Sequence, residues 1–329
     1  MMKYLLLLII VKTILDGNHN KNYRTTDMTQ KTKVNLFCSL APPSYDDYWK
    51  TYNFSSEFEP TEIEWVREGP GKGKAEFDGV TVFTDKDITS PWVNNVKTKH
   101  KIAWLVECRT IHPFAYSRIT HVEHKFDYIF TFDQKLLDRS PKYVKNLIGT
   151  SRVSHDDAGI HKKNKLLSLI ASKQNWAPGH RLRHAIAENI KDKYPVDLWG
   201  TAYKPFGKNP SGQSAAAIRE GKSEPLQDYF FSITVMNAKH KNYFTETLVD
   251  VFRHGTIPIF WGCDNIGEYF NEKGILQFNS PKDLKNILDN LTEEQYYDKI
   301  EYVKENYELA KNYLSMDDTF ARNLKKIIG

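Results

Sequence analysis

Residues 242–262, NYFTETLVDVFRHGTIPIFWG, place polar side chains directly in front of a short apolar helix. Thr245 is a helix-capping residue type, so we predict a helix that begins near Glu246 and ends before Gly255. Free N–H groups at the start of such a helix favour anions. Tyr243 can stack on a ligand or hydrogen-bond to it, and Glu246 can accept bonds from hydroxyl groups. The alternative is a plain cap, in which Glu246 is only a first-turn acid.

A second candidate is Glu107, which closes the apolar run KIAWLVE at residues 101–107. A carboxylate in that place lies at the mouth of a sheet. Burial against Trp104 would raise its pKa and suit it to act as a general base. The alternative is a structural carboxylate paired with Arg109.

Cationic and amide side chains follow the predicted strands of the second half. Arg183 lies near the start of a helix after the strand LLSLIAS, where a guanidinium opposes the helix dipole unless it binds an anion such as phosphate. Asn237 closes the strand SITVMN, and Lys239 and Lys241 follow it. These cations either surround a diphosphate or form a solvated basic surface.

Strand-like and helical segments alternate along both halves of the chain. The alternation predicts an α/β fold with parallel sheets, arranged as two Rossmann-like domains with a cleft between them. Ligands of such sheets bind beyond the carboxyl ends of the strands, where the candidates above lie. From Thr292 onward we predict a C-terminal helical segment, because apolar residues recur there at three- and four-residue spacing.

The chain divides into three parts. Residues 1–33 are an N-terminal extension, in which YLLLLIIV at residues 4–11 is a candidate targeting segment that is too short to span a bilayer. We predict one Rossmann-like domain over residues 34–155 and a second, with terminal helices, over residues 156–329. A cytoplasmic location is favoured over the secretory pathway, and membrane association is left open.

Composition narrows the function classes. The 329 residues carry a formal charge of +5, with acids and bases interspersed rather than gathered in a basic stripe, so we expect no nucleic-acid partner. The three cysteines lie far apart, which argues against a cysteine metal cluster. The sequence has no GxxxxGK, HExxH or GxSxG motif and no DxD after a strand. A metal-dependent DxD transferase is therefore disfavoured, and we predict no metal ligands.

Residues 242–262 are similar to the donor-binding signature of the α1,3-fucosyltransferase family, glycosyltransferase family 10. That signature runs Tyr-hydrophobic-Thr-Glu-Lys, then a short helix, then hydrophobic-Pro-hydrophobic-x-x-Gly. The matching positions are Tyr243, Thr245, Glu246, Pro258 and Gly262. Upstream, Asn237, Arg183 and Glu107 fall at family positions. The resemblance is good over about residues 166–280 and thin over residues 34–150.

The resemblance implies a GT-B-like fold, with the acceptor held by the first domain and a nucleotide sugar held by the second. It implies inverting transfer of fucose from GDP-fucose to a glycan hydroxyl, with no cofactor required. Glu107 would be the base and Arg183 would stabilise the leaving diphosphate. Tyr243, Thr245 and Glu246 would orient the donor, and Asn237 would help to hold it.

Two departures mark this chain as a divergent member. Thr247 replaces the signature lysine and Met236 replaces a glutamate. Lys239 or Lys241 is a candidate for the missing charge beside the phosphates. Two alternatives stay open: a transferase that uses another nucleotide sugar, and a non-catalytic descendant that binds a nucleotide or a glycan.

Overall fold

Parallel strand pairing in two separate sheets confirms the predicted α/β fold. The computed structural model describes residues 31–39, 61–69, 71–207 and 221–328. The first sheet contains β1 (Thr32–Phe37), β2 (Ile63–Val66), β3 (Glu76–Thr84), β4 (Lys97–Trp104), β5 (Tyr128–Thr131) and β6 (Tyr143–Lys145). Their order is β2-β1-β3-β4-β5-β6, and every neighbouring pair is parallel.

The second sheet contains β7 (Lys165–Ile170), β8 (Val196–Trp199), β9 (Tyr229–Val235), β10 (Ile257–Trp261) and β11 (Leu276–Gln277). Its order is β11-β10-β9-β7-β8, again with parallel pairs. The central strand β9, YFFSITV, is buried along its whole length. A near-continuous apolar strand is typical of a parallel sheet that is covered on both faces.

Helices connect the strands and complete both layers. They are α1 (Trp92–Asn95), α2 (Pro113–Val122), α3 (Gln134–Leu137), α4 (Pro178–Ile190), α5 (Glu246–Arg253), α6 (Pro281–Asp289), α7 (Glu293–Tyr297), α8 (Ile300–Ala310) and α9 (Met316–Ile328). The predicted helix after Thr245 is α5, and its C-terminal Gly255 has a φ of +60°, which suits glycine.

The last helix returns to the first sheet. Phe320 of α9 is fully buried, and its ring centroid lies 4.6 Å from that of Trp104, 4.7 Å from that of Phe130 and 5.6 Å from that of Trp65. The indole N–H of Trp65 donates to Asp317 Oδ1 at 3.1 Å. The end of the chain therefore packs on the strands that precede Glu107. The division of the chain at residues 155 and 156 stays a prediction.

The candidate targeting run at residues 4–11 lies outside the described residues, as does nearly all of the extension at residues 1–33. Among the helices that are described, none has both the length and the apolar character needed to cross a bilayer.

Candidate active site

A cavity of about 560 Å³ opens at the carboxyl ends of β7, β8 and β9. Its walls include residues that directly follow these strands, such as Ser172, Gly200 and Asn237. The start of α5 closes one side through Glu246 and Thr247. This is the place where ligands bind in doubly wound α/β sheets, and the volume suits a nucleotide-sized molecule.

Helix α5 begins as the sequence predicts. Thr245 is its N-cap, and the threonine hydroxyl oxygen accepts a hydrogen bond from the Thr247 N–H at 3.3 Å. Glu246 is partly buried, and its carboxylate lies 3.4 Å from Arg152 Nη2. Burial alone would raise the pKa of Glu246, but Arg152 and Lys222 hold it below the ordinary value. Glu246 is therefore an ionised acceptor on the cavity wall.

Arg183 and Asn237 also line the cavity, and their side chains meet there. The Arg183 guanidinium donates to the Val235 carbonyl from both Nε, at 2.9 Å, and Nη2. Nη2 also donates to Asn237 Oδ1 at 3.0 Å. Gly179 allows the start of α4 to pack closely against the backbone that follows β9, because a Cβ at this position would lie 1.8 Å from the Met236 carbonyl oxygen. Burial lowers the pKa of Arg183, and the charge of Glu246 opposes that shift. The guanidinium is thus held at the cavity in a fixed orientation.

Further cations reach the cavity from loops that sequence reasoning did not select: Arg152, Lys173 and Lys222. Lys222 is 8% exposed, and its Nζ lies 3.6 Å from Asp250 Oδ2. The adjacent Ser223 is fixed by a 2.8 Å hydrogen bond with His254 Nε2. Together with Arg183 these cations face one acid, Glu246, among the described residues that line the cavity. A positively charged cavity of this kind favours a phosphorylated ligand.

Glu107 approaches the same region from the first sheet, just beyond β4. Burial, and then the negative charge of Glu246, raises the pKa of Glu107 to about 7. Arg109 is not its partner, because the guanidinium makes a bidentate pair with Asp133, at 3.1 Å from Nε and 3.0 Å from Nη2. The alternative of a Glu107–Arg109 ion pair is therefore wrong. Burial raises the pKa of Glu107, in the direction expected from the sequence, and its role as a general base stays a prediction.

Asn242, in the loop before α5, joins this loop to the first sheet. Its Nδ2 donates to the Phe132 carbonyl and to Gln134 Oε1, both at 3.0 Å, and its φ is +64°. Next to it, the Tyr243 ring stacks on Phe132 with centroids 5.3 Å apart. These contacts hold the segment before α5 against the end of β5.

Four of the predicted donor-binding residues lie outside the cavity lining. Tyr243 is 1% exposed and packs in the core, and Thr245 serves as the cap. Lys239 bonds to Asp264 at 2.8 Å and to Asn279 Oδ1 at 2.7 Å, and Lys241 is exposed. The positive charge at the cavity comes instead from Arg152, Lys173, Arg183 and Lys222. Direct contact of a donor with Tyr243, Thr245, Lys239 or Lys241 stays a prediction.

The two Rossmann-like parallel sheets, with a cavity at the strand ends of the second, have the architecture of the GT-B fold. The fold is similar to the crystal structure of an α1,3-fucosyltransferase, with a TM-score of 0.54 and 15% identity over 95% of this chain and 94% of the other. The structure of α1,3-fucosyltransferase with GDP gives a TM-score of 0.53 and 16% identity over 94% and 93% of the two chains.

The sequence model described as "Glycosyltransferase family 10 (fucosyltransferase) C-term" matches residues 160–325, about half of the chain. The chain belongs to glycosyltransferase family 10, which confirms the resemblance seen in residues 242–262. Alpha-(1,3)-fucosyltransferase FucT of Helicobacter pylori is 26% identical over an alignment of 226 residues, which covers 66% of this chain and 44% of that relative. This chain therefore matches less than half of the length of that curated relative.

Proposed function

We propose that the protein is an inverting fucosyltransferase that moves fucose from GDP-fucose onto a hydroxyl group of a glycan. One arrangement carries the proposal. A cavity with a surplus of cations is lined by Glu246, and Glu246 interacts electrostatically with Glu107, a carboxyl group outside the lining whose pKa is raised to about 7. Diphosphate binding and proton removal from a hydroxyl are the two tasks that such a transfer needs. Family membership and the likeness to fucosyltransferases crystallised with GDP support the choice of donor.

Donor binding rests on the cavity. Arg183, Arg152 and Lys222 would hold the two phosphates, since guanidinium and ammonium groups pair with phosphate oxygens. The N–H groups at the start of α5 add a further partial positive charge there. Glu246, ionised and partly buried, would accept hydrogen bonds from sugar hydroxyls. In this proposal the protein's own cations balance the charge of the leaving group.

The transfer is a single displacement. Glu107 takes the proton of the acceptor hydroxyl while that oxygen attacks C1 of fucose. The bond between C1 and the β-phosphate oxygen breaks on the opposite face, and GDP leaves with the electron pair. Arg183 and its neighbouring cations stabilise the charge that develops on the diphosphate, the largest contribution in most such steps. A carboxyl with a pKa near 7 is matched to proton transfer at neutral pH.

Proton NMR of the reaction tests the proposal. GDP-fucose is mixed with wild type and N-acetyllactosamine, and the mixture is also applied to an oligosaccharide array. We expect GDP release and a fucoside whose anomeric configuration is opposite to that of the donor. Retained configuration would refute the single displacement. Turnover of a uridine or mannose donor in place of GDP-fucose would refute the sugar assignment.

A further inference from the structure

Asp85 has an unusual conformation beside Glu107. It follows β3 directly, is 0% exposed and has a φ of +43°. A left-handed backbone in a residue other than glycine is strained and persists only where its surroundings impose it. Aspartate and asparagine tolerate this region better than other side chains do.

The Asp85 carboxyl takes the place of a strand partner. In the sheet Thr84 lies opposite Trp104, and the next amide, Leu105 N–H, still bonds to the Phe130 carbonyl at 2.9 Å. The chain then leaves the sheet. The Val106 and Glu107 amides donate instead to Asp85 Oδ1, at 3.0 Å and 3.2 Å. Without Asp85 these two N–H groups would lose their partner.

A second side chain, that of Tyr116, holds the carbonyl group of Glu107. Tyr116 of α2, 4% exposed, donates its hydroxyl to the Glu107 carbonyl at 2.8 Å. The Arg109 guanidinium lies over the Tyr116 ring, with Cζ 4.6 Å from the centroid. Both backbone polar groups of Glu107 are therefore held by buried side chains from two elements, so its own side-chain torsions are what remain to move.

This arrangement is costly for a purely structural role. Asp85 Oδ2 is buried and has no hydrogen-bond partner among the described residues. An unsatisfied buried oxygen destabilises the folded state. A side chain without a second polar atom at this place would avoid this cost, and glycine would remove the backbone strain. Costs of this kind gather at functional sites, where geometry is held at the expense of stability.

We propose that Asp85 and Tyr116 are positioning residues that fix the Glu107 peptide and so direct its carboxylate at the acceptor hydroxyl. The inference rests on the proposed function of Glu107 as the base. Neither residue touches substrate in this arrangement. They act through the direction in which the Glu107 side chain leaves the backbone, and a misplacement of 1 Å can cost about 100-fold in rate.

The variant pair Asp85→Asn and Asp85→Gly tests this directly. Asparagine keeps the oxygen that accepts the two N–H bonds and tolerates the positive φ. Glycine relieves the φ strain but removes the acceptor. With GDP-fucose and N-acetyllactosamine we expect Asp85→Asn to stay close to wild type. We expect Asp85→Gly to lose about 100-fold in kcat, with unchanged affinity for GDP by calorimetry.

Two further readouts separate positioning from general stability. Carbon-13 NMR of labelled glutamate carboxyls, assigned with Glu107→Gln, should show the pKa of Glu107 falling in Asp85→Gly, because a released carboxylate becomes hydrated. Tyr116→Phe deletes only one hydroxyl and should also lower kcat while GDP affinity is unchanged. Equal losses in kcat and in GDP affinity would indicate a general structural role and overturn the proposal, as would wild-type kcat in Asp85→Gly.

Wild type alone provides a test if the glycine variant does not fold. The Val106 and Glu107 amides should be protected from hydrogen exchange, and fast exchange of both would overturn the proposal. Failure of the proposed function looks different. If Glu107→Gln retains transfer, Glu107 is not the base, whatever the exchange and NMR data show about Asp85.

Discussion

The pH dependence of transfer is the sharpest consequence of the site. A base must be deprotonated to act, so kcat/KM should follow the ionised fraction of Glu107. With a pKa of about 7, that fraction is about one half at pH 7, about a tenth at pH 6 and about a hundredth at pH 5. A carboxyl with the ordinary value of 4.5 would give a flat profile above pH 6.

The cause of the raised pKa can be tested through its neighbour. Burial is the largest cause of the raised pKa of Glu107, and the negative charge of Glu246 is the second. Glu246→Gln removes that charge while burial remains, so the pKa of Glu107 should fall to between 4.5 and about 7. Two other groups beside Glu107 stay neutral in this range, since burial raises the pKa of Cys108 to about 11 and that of Tyr243 well above its usual range.

The assay measures initial rates from pH 5 to pH 8.5 at a low concentration of GDP-fucose. It is combined with a carbon-13 NMR titration of the Glu107 carboxyl in the absence of substrate. Stability is checked at each pH by circular dichroism. A rate that is constant down to pH 5.5 would refute the assignment of Glu107 as a base with a raised pKa. An unchanged midpoint in Glu246→Gln would refute the electrostatic contact between the two carboxylates.

Three further variants test other parts of the structure. Lys222→Met should weaken GDP binding by about 2 kcal/mol, as loss of a charged hydrogen bond does, while guanosine binds as before by calorimetry. Gly179→Ala, whose Cβ would lie 1.8 Å from the Met236 carbonyl oxygen, should lose about 1–3 kcal/mol in denaturant unfolding. Its matched control is Gly69→Ala, where nothing lies within 4 Å. Phe320→Ala should lower the free energy of unfolding by about 3–5 kcal/mol. A stability within error of wild type would show that packing of α9 does not stabilise the first sheet.

Local patterns in the sequence predicted much of the fold and part of the site. Strand and helix alternation predicted parallel sheets, and the Thr245 cap predicted the start of α5. Strand ends predicted that Arg183 and Asn237 lie at one edge, and their side chains bond at 3.0 Å. These successes share a cause, because each depends on residues close in sequence or on the shared polarity of parallel strands.

Features that depend on tertiary contacts were missed. Lys222 lies in a polar loop, and two contacts with residues distant in sequence hold it at the cavity: its own pair with Asp250 and the bond between Ser223 and His254. Lys239 seemed a better placed cation, but it pairs with Asp264. The stretch from Thr292 onward was predicted to be helical, yet nothing in its spacing indicates that Phe320 of α9 packs on the first sheet rather than on the second.

The central claim is that the cationic cavity binds a guanine nucleotide sugar through Arg183. Calorimetry with GDP-fucose, GDP, GDP-mannose, UDP and UDP-sugars, on wild type and on Arg183→Ala, tests it most directly. The account predicts that GDP-fucose binds most tightly and that the variant loses about 2–5 kcal/mol, as removal of a buried charge partner does. Binding of no guanine nucleotide by the wild type, or equal affinity in the variant, would contradict it.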